Sequence, residues 1–390
     1  MNELGNVRNI DLSDTQKKIQ TEARDLSLKE IAPQAARVDK EGSFPLDGLN
    51  KLGAAGFLGL TVPQALGGRG ADSVSFVLAI EAVARSCAST ALVFLTHSLV
   101  TRALAVAGND EQKQKLLPAM IAGEKLGALA VTEAASGSNS LAIATNAAAD
   151  GDSFIVNGTK ALITGAEQAQ VYIIVLRTDR AKTPLDLSAI IMEKGTPNFS
   201  FGKKADFMGL CGASNGDLVF KNCRVPKTNL LGPENGYMQV GPAYASHSML
   251  GMAAISLGIA QAAVDAATEH AKTRLNGEKP ISSYQGIQFQ IAEMTTALAA
   301  SRELTYSAAQ QLDSQKPPSP LPLYMAKLNA TEMAIDVANK TLQVYGGTGY
   351  SRELPLERYY RDARGLTLHF TNSEKLKELV GKMLLGLPPI

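Results

Sequence analysis

Gly346-Gly347-Thr348-Gly349-Tyr350 closes a long helical pattern, and Arg361-Asp362-Ala363-Arg364 and Leu368-His369-Phe370-Thr371-Asn372-Ser373-Glu374 follow it within one short stretch. A glycine pair after helical periodicity is how a helix ends, because glycine takes the left-handed conformation that a helix terminus favours. Upstream, apolar residues recur at helical spacing near 237–273, 284–313 and 322–345, and again downstream near 372–385. Gln315-Lys316-Pro317-Pro318-Ser319-Pro320 reads as a loop between two of them. Long helices with short links predict a four-helix bundle over 236–390.

Before this bundle the pattern changes. Phe154-Ile155-Val156, Val171-Tyr172-Ile173-Ile174-Val175 and Ser188-Ala189-Ile190-Ile191-Met192 are short β-branched runs, and Asp217 to Cys223 reads as a further strand. Asp150-Gly151-Asp152, Asn157-Gly158 and Lys194-Gly195-Thr196-Pro197 punctuate them, so residues 126–235 read as an antiparallel β domain. Residues 1–125 read as all-helical. Ser13-Asp14-Thr15-Gln16 has the arrangement of a capping box, Leu49 to Phe57 fits a short helix, and Ser73 to Ala107 fits two buried ones. Gln112 to Ala122 is a further helix, with Pro118 predicting a bend. The fold class is α+β, in the order helical, β, helical.

The chain's 390 residues call for more than one domain, and its net charge of +1 gives no footprint for nucleic acid or an anionic membrane. His97 and Arg102 interrupt the most apolar stretch, which argues against a membrane span. Cys87, Cys211 and Cys223 have no CxxC spacing, so no metal site is expected and the thiols fit a reducing compartment. The first residues lack the basic and apolar regions of a secretion signal, and a cytoplasmic location is expected.

Five local motifs, in order over nearly the whole chain, resemble the acyl-CoA dehydrogenase flavoprotein family. They are Ala130-Val131-Thr132-Glu133-Ala134-Ala135-Ser136-Gly137-Ser138-Asn139, Lys160-Ala161-Leu162-Ile163-Thr164-Gly165-Ala166, Tyr284-Gln285-Gly286, Gln343-Val344-Tyr345-Gly346-Gly347 and Arg361-Asp362-Ala363-Arg364. The resemblance implies FAD, with Val131, Thr132, Gly137, Ser138, Leu162 and Thr164 around it. The chemistry of these residues agrees. Threonine hydroxyls can serve the polar edge of a flavin, and Gly137-Ser138 offers N–H groups and a hydroxyl to a pyrophosphate. Leu162 stands at the family's usual tryptophan position, and the chain has no tryptophan. The resemblance also implies that Arg274, Gln343 and Gly347 reach the FAD of a neighbouring subunit in a homodimer or homotetramer, and Gln285 and Gly346 are further cofactor-binding candidates. Asn372 and Glu374 are expected near the flavin, and an electron-transfer flavoprotein is the implied redox partner.

The family removes two hydrogens across Cα–Cβ of an acyl thioester. A carboxylate takes the α-proton, and that residue's backbone N–H helps hold the thioester oxygen. Counting from Arg361-Asp362-Ala363-Arg364 puts Phe370 at this position. A phenylalanine keeps the N–H and cannot take a proton. Some members carry the base on a bundle helix, at a position that maps to Ser248 beside His247. The thioester-binding aspartate and arginine map to Ser246 and Met249. His369 and His247 become the candidate bases, since imidazole titrates near neutrality. His270 reads as a helix-surface residue. Arg364-Gly365-Leu366-Thr367-Leu368-His369 also resembles the family's flavin monooxygenase branch, whose histidines surround the flavin, and His97 lies in a helix that fits that branch. The leading expectation is an FAD-dependent oxidoreductase acting on an acyl thioester with a non-standard base. The alternatives are a monooxygenase of the same fold and a non-oxidative acyl-binding flavoprotein.

Overall fold

The computed structural model describes residues 11–137, 139, 142–178, 183, 186–314 and 319–388. Six helices come first: α1 (Asp14–Leu26), α2 (Ala35–Glu41), α3 (Leu46–Ala54), α4 (Ser73–Ser86), α5 (Ala88–Ala107) and α6 (Asp110–Ala122). The expected capping box is present, with Ser13 and Gln16 bonding each other's backbone N–H, and Asn109 and Gln112 form a second one before α6. Strands β1 (Gly127–Ala130), β2 (Asn146–Asp150), β3 (Ser153–Ile163), β4 (Val171–Thr178), β5 (Ser188–Glu193), β6 (Phe199–Lys204) and β7 (Gly216–Pro226) follow. The chain then returns to helix with α7 (Tyr237–Thr273). A small hairpin, β8 (Leu275–Asn276) and β9 (Lys279–Pro280), separates it from α8 (Gln285–Ser314). Next come α9 (Leu321–Tyr345), α10 (Leu356–Leu366) and α11 (Ser373–Leu384).

The strands form one sheet in the order β1-β4-β2-β3-β7-β6, with β5 paired to β4. The four strands expected from sequence, β3, β4, β5 and β7, pair antiparallel with their partners β7 and β5. The sheet is not wholly antiparallel, however: β4 runs parallel to both β1 and the start of β2. Strand β4 also explains how the sheet meets the helices. Its side chains alternate across the sheet, so Val171 and Ile173 join the helical core while Tyr172 and Ile174 fill the sheet's inner core. Both faces are covered, which is why β4 reads as an unbroken apolar run.

The four expected C-terminal helices are present, and α10 is an addition to them among the described residues. Helices α4 and α5 pack on α7, so one apolar core runs through both helical regions. Helices α5 and α7 are long and apolar enough to cross a membrane by length and composition, and each is mostly buried inside the protein.

Helix α10 joins the three regions. Arg361 pairs with Asp39 of α2 at 2.6 Å and with Glu357 at 2.5 Å. Asp362 accepts a hydrogen bond from the Leu210 N–H at 2.6 Å, and burial pushes its carboxyl up to about 7. Gly209 lies against this helix so closely that a Cβ there would meet the Arg361 carbonyl at 2.5 Å and the Asp362 nitrogen at 2.8 Å. Backbone cannot yield as a side chain can. Gly209→Ala is therefore expected to cost about 1–3 kcal/mol by overpacking, read as a lower denaturant midpoint at unchanged slope. An unchanged midpoint would show that this contact is slack.

Candidate active site

The site is built from two strand ends and one loop. After β1, Glu133 accepts hydrogen bonds from the N–H groups of Ala144 (2.8 Å) and Thr145 (3.0 Å) and from the Lys160 ammonium (2.8 Å). Lys160 also donates to the Val131 carbonyl at 2.9 Å. Both side chains are buried. Burial alone would raise the Glu133 carboxyl, but bonds from Lys160, Thr145 and Ala144 hold it below its usual range. Burial pulls Lys160 down to about 8. This pair ties the Val131-Thr132 segment to β3, and the Ala161 N–H donates to the Thr132 carbonyl at 2.8 Å.

Leu162 follows at once, with a positive φ of 59° and half of its surface exposed. Its N–H donates to Asp217 at 3.2 Å. A branched apolar residue in the left-handed region and open to solvent marks a place to search for function. Thr164 donates from its hydroxyl to Asn215 at 2.9 Å, and the Gly165 N–H donates to the Ala213 carbonyl at 2.9 Å. Gly137 has a φ of 49° and open space where a Cβ would stand. Ser138 lies outside the described residues.

From Ala213 the connections continue to the C-terminal loop. Leu210 bonds Asp362 as described, and the loop 367–372 follows α10 directly. The Ser373 N–H donates to the Thr367 carbonyl at 3.1 Å and closes that loop. Asn372 caps α11 by accepting from the Lys375 N–H at 2.8 Å, with Glu374 exposed in its first turn. Phe370 stands at the tip with a φ of 55°, 42 % exposed. Among the described residues its N–H finds no acceptor. His369 is half-buried beside it, and burial together with the nearby Lys327 ammonium lowers its imidazole to about 4.

A second group of candidates lies at the ends of α7 and α9 and the start of α8. Arg274 caps α7, and Gly346 ends α9 with Gly347 after it; Arg274, Gln343, Gly346 and Gly347 are all exposed. Gln285 opens α8 and is exposed as well. His270 and Tyr345 hold the α7 and α9 ends together by stacking face to face, centroids 3.8 Å apart. His270 is thus a packed residue rather than a free surface one.

The other candidate bases lie elsewhere. His247 is buried on α7 with its ring 5.3 Å from that of Phe76 on α4, and burial pulls its imidazole well down. Ser248 donates to the Ala245 carbonyl at 2.7 Å. No described contact joins either residue to the 367–372 loop. Ser246 and Met249, on the same helix, carry no charge. His97 is fully buried, with its Nδ1 accepting from the Gly127 N–H at 3.1 Å, a structural bond between α5 and β1. Sequence reasoning missed Lys327, Asn215 and Asp217, which hold the site's backbone and threonine in place.

The chain runs in the order helical, β, helical, and comparison with known proteins gives the family. The three acyl-CoA dehydrogenase domain models match in order: the N-terminal domain at 13–124, the middle domain at 128–223 and the C-terminal domain at 243–385. The human mitochondrial short-chain specific acyl-CoA dehydrogenase is 37 % identical over 374 residues, covering 96 % of this chain and 90 % of that protein. Butyryl-CoA dehydrogenase from Megasphaera elsdenii superposes with a TM-score of 0.92 at 32 % identity, covering 97 % of this chain and all of that one. An acyl-CoA dehydrogenase from Bacillus anthracis, complexed with FAD, superposes with a TM-score of 0.90 at 26 % identity, covering 96 % and 67 %. The chain belongs to the acyl-CoA dehydrogenase family.

Proposed function

We propose that this chain is an FAD-dependent oxidoreductase of acyl thioesters that holds the thioester oxygen with the Phe370 N–H and has no carboxylate at that loop position. The observation that carries the reading is Phe370 itself: left-handed, exposed, and with an N–H that meets no acceptor among the described residues. Such a donor is what an oxygen gaining negative charge requires.

The residues fit FAD. Leu162 offers an exposed apolar surface, Thr132 and Thr164 lie within the same bonded strand ends, and Gly137 leaves open space for a phosphate to approach the backbone. Val131, Asn372 and Glu374 complete the set from one subunit. Arg274, Gln285, Gln343, Gly346 and Gly347 serve a second subunit's site in a homodimer or homotetramer. When bound, FAD supplies the hydride acceptor, and an electron-transfer flavoprotein is the partner that reoxidises it. His369 is the candidate proton acceptor. It stays neutral down to about pH 4, so it is available at neutral pH but weakly basic.

The test is anaerobic titration of the FAD-loaded chain with straight-chain and branched acyl thioesters of CoA and of a carrier protein. Slow bleaching of the flavin by at least one of them is expected. No bleaching across the panel, with oxygen instead consumed by the reduced protein as a substrate is hydroxylated, would replace this reading with the monooxygenase one.

A further inference from the structure

The lysine beneath the C-terminal loop has an unusual environment. Lys327 lies on α9 and is fully buried. Its ammonium donates to the carbonyl of His369 at 2.9 Å and to that of Thr371. Lysine is almost never fully buried unless paired, yet no carboxylate bonds it among the described residues. The partners it does have are the two carbonyls on either side of Phe370.

The His369 carbonyl belongs to the same peptide unit as the Phe370 N–H. In a trans peptide the two point in opposite directions. A cation gripping the oxygen from the buried side therefore sends the N–H to the other side, where it meets no acceptor among the described residues. The same grip draws electron density toward the oxygen, which makes the N–H a stronger donor. The second bond, to Thr371, fixes the next peptide and so helps keep Phe370 at a φ that bulky residues avoid.

We propose that Lys327 is a positioning residue whose ammonium aims and polarises the Phe370 N–H toward the ligand's carbonyl oxygen. The proposal rests on the reading that this N–H is the thioester donor. It gives the Lys327 turn of α9 a part in thioester binding, separate from the Gln343 end of that helix, which the sequence motifs assigned to FAD.

Two probes separate the possibilities. One is the 2-aza analogue of butyryl-CoA, a thiocarbamate that keeps the carbonyl and has no α-carbon hydrogen. The other is S-butyl-CoA, a thioether without the carbonyl. Their dissociation constants are measured by calorimetry on FAD-loaded wild type, Lys327→Met and Lys327→Gln. Gln keeps a donor of similar length without the charge, so it carries the test if Met does not fold. The wild type is expected to prefer the carbonyl probe. Burial pulls Lys327 down to about 7, so the measurement is made at pH 6, where it is charged. Both variants should there lose that preference by roughly tenfold, the difference between a charge-assisted and a neutral or absent bond, with S-butyl-CoA affinity unchanged. Equal weakening of both probes would reduce Lys327 to a structural residue and overturn the proposal. An undiminished preference would overturn it while leaving the Phe370 reading intact. A wild type with no preference would remove the Phe370 reading and this proposal with it.

Discussion

Phe370→Glu in the FAD-loaded chain is expected to speed reduction of the flavin by an acyl thioester about 10²–10⁴-fold, the usual contribution of a positioned general base. The loop should tolerate the change. Its closure uses the Thr367 carbonyl with the Ser373 N–H, the Asn372 cap and the Lys327 ammonium, and none of these involves the Phe370 side chain. That side chain is substantially exposed, so little packing is lost. Glutamate at a φ of 55° carries strain of the same kind as phenylalanine, since neither is β-branched. The measurement is the anaerobic rate of flavin bleaching, with ligand binding followed separately by the shift in the flavin spectrum. A variant that binds the thioester and bleaches no faster would show that position 370 does not face the α-hydrogen.

The second large effect concerns the buried pair that ties the Val131-Thr132 segment to β3. Glu133→Ala is expected to destabilise the chain by about 3–5 kcal/mol, the range for removing one partner of a buried ion pair. The carboxylate collects three hydrogen bonds, and without it the Lys160 ammonium keeps, among the described residues, only the Val131 carbonyl. Because Val131 and Thr132 sit on these bonds, FAD retention should fall as well. Adding Lys160→Met removes the orphaned charge and should recover part of the loss, which distinguishes a stranded ammonium from simple loss of packing. Denaturant unfolding of the single and double variants checks this. A single variant within about 1 kcal/mol of wild type would mean that water reaches Lys160 and the pair carries little.

Much of this fold could be read in the sequence because its signals are local. Ser13 and Gln16 announce a helix start, β-branched runs announce β3, β4 and β5, and the glycines at 346–347 mark the end of α9. What escaped were elements whose signals are weak or relational. Strand β2 is Asn146-Ala147-Ala148-Ala149-Asp150, with no β-branched residue, and β6 is short and mostly exposed. The parallel contacts of β4 are a matter of topology that no single run encodes. Helix α10 buries only Leu356, Asp362, Ala363 and Leu366, and it lay within a stretch read as a turn followed by a motif.

The site divides in the same way. Leu162 and Phe370 are singled out by their place in the motifs, but their left-handed backbones are not visible in the sequence. His247 follows Ser246 and precedes Ser248, yet successive helix residues differ by about 100° in direction, and its ring packs on Phe76. Lys327 reads as a solvated charge in any window of sequence. Only the return of the chain after α10 brings two carbonyls to it.

The most direct test is a crystal structure of the FAD-loaded chain with the 2-aza analogue of butyryl-CoA. It should show the flavin beside Leu162 and the Phe370 N–H within about 3.2 Å of the carbonyl oxygen. No aspartate or glutamate oxygen should lie within that distance of the atom replacing the α-carbon. A carboxylate in contact with that atom, or a carbonyl held by other donors, would contradict the account.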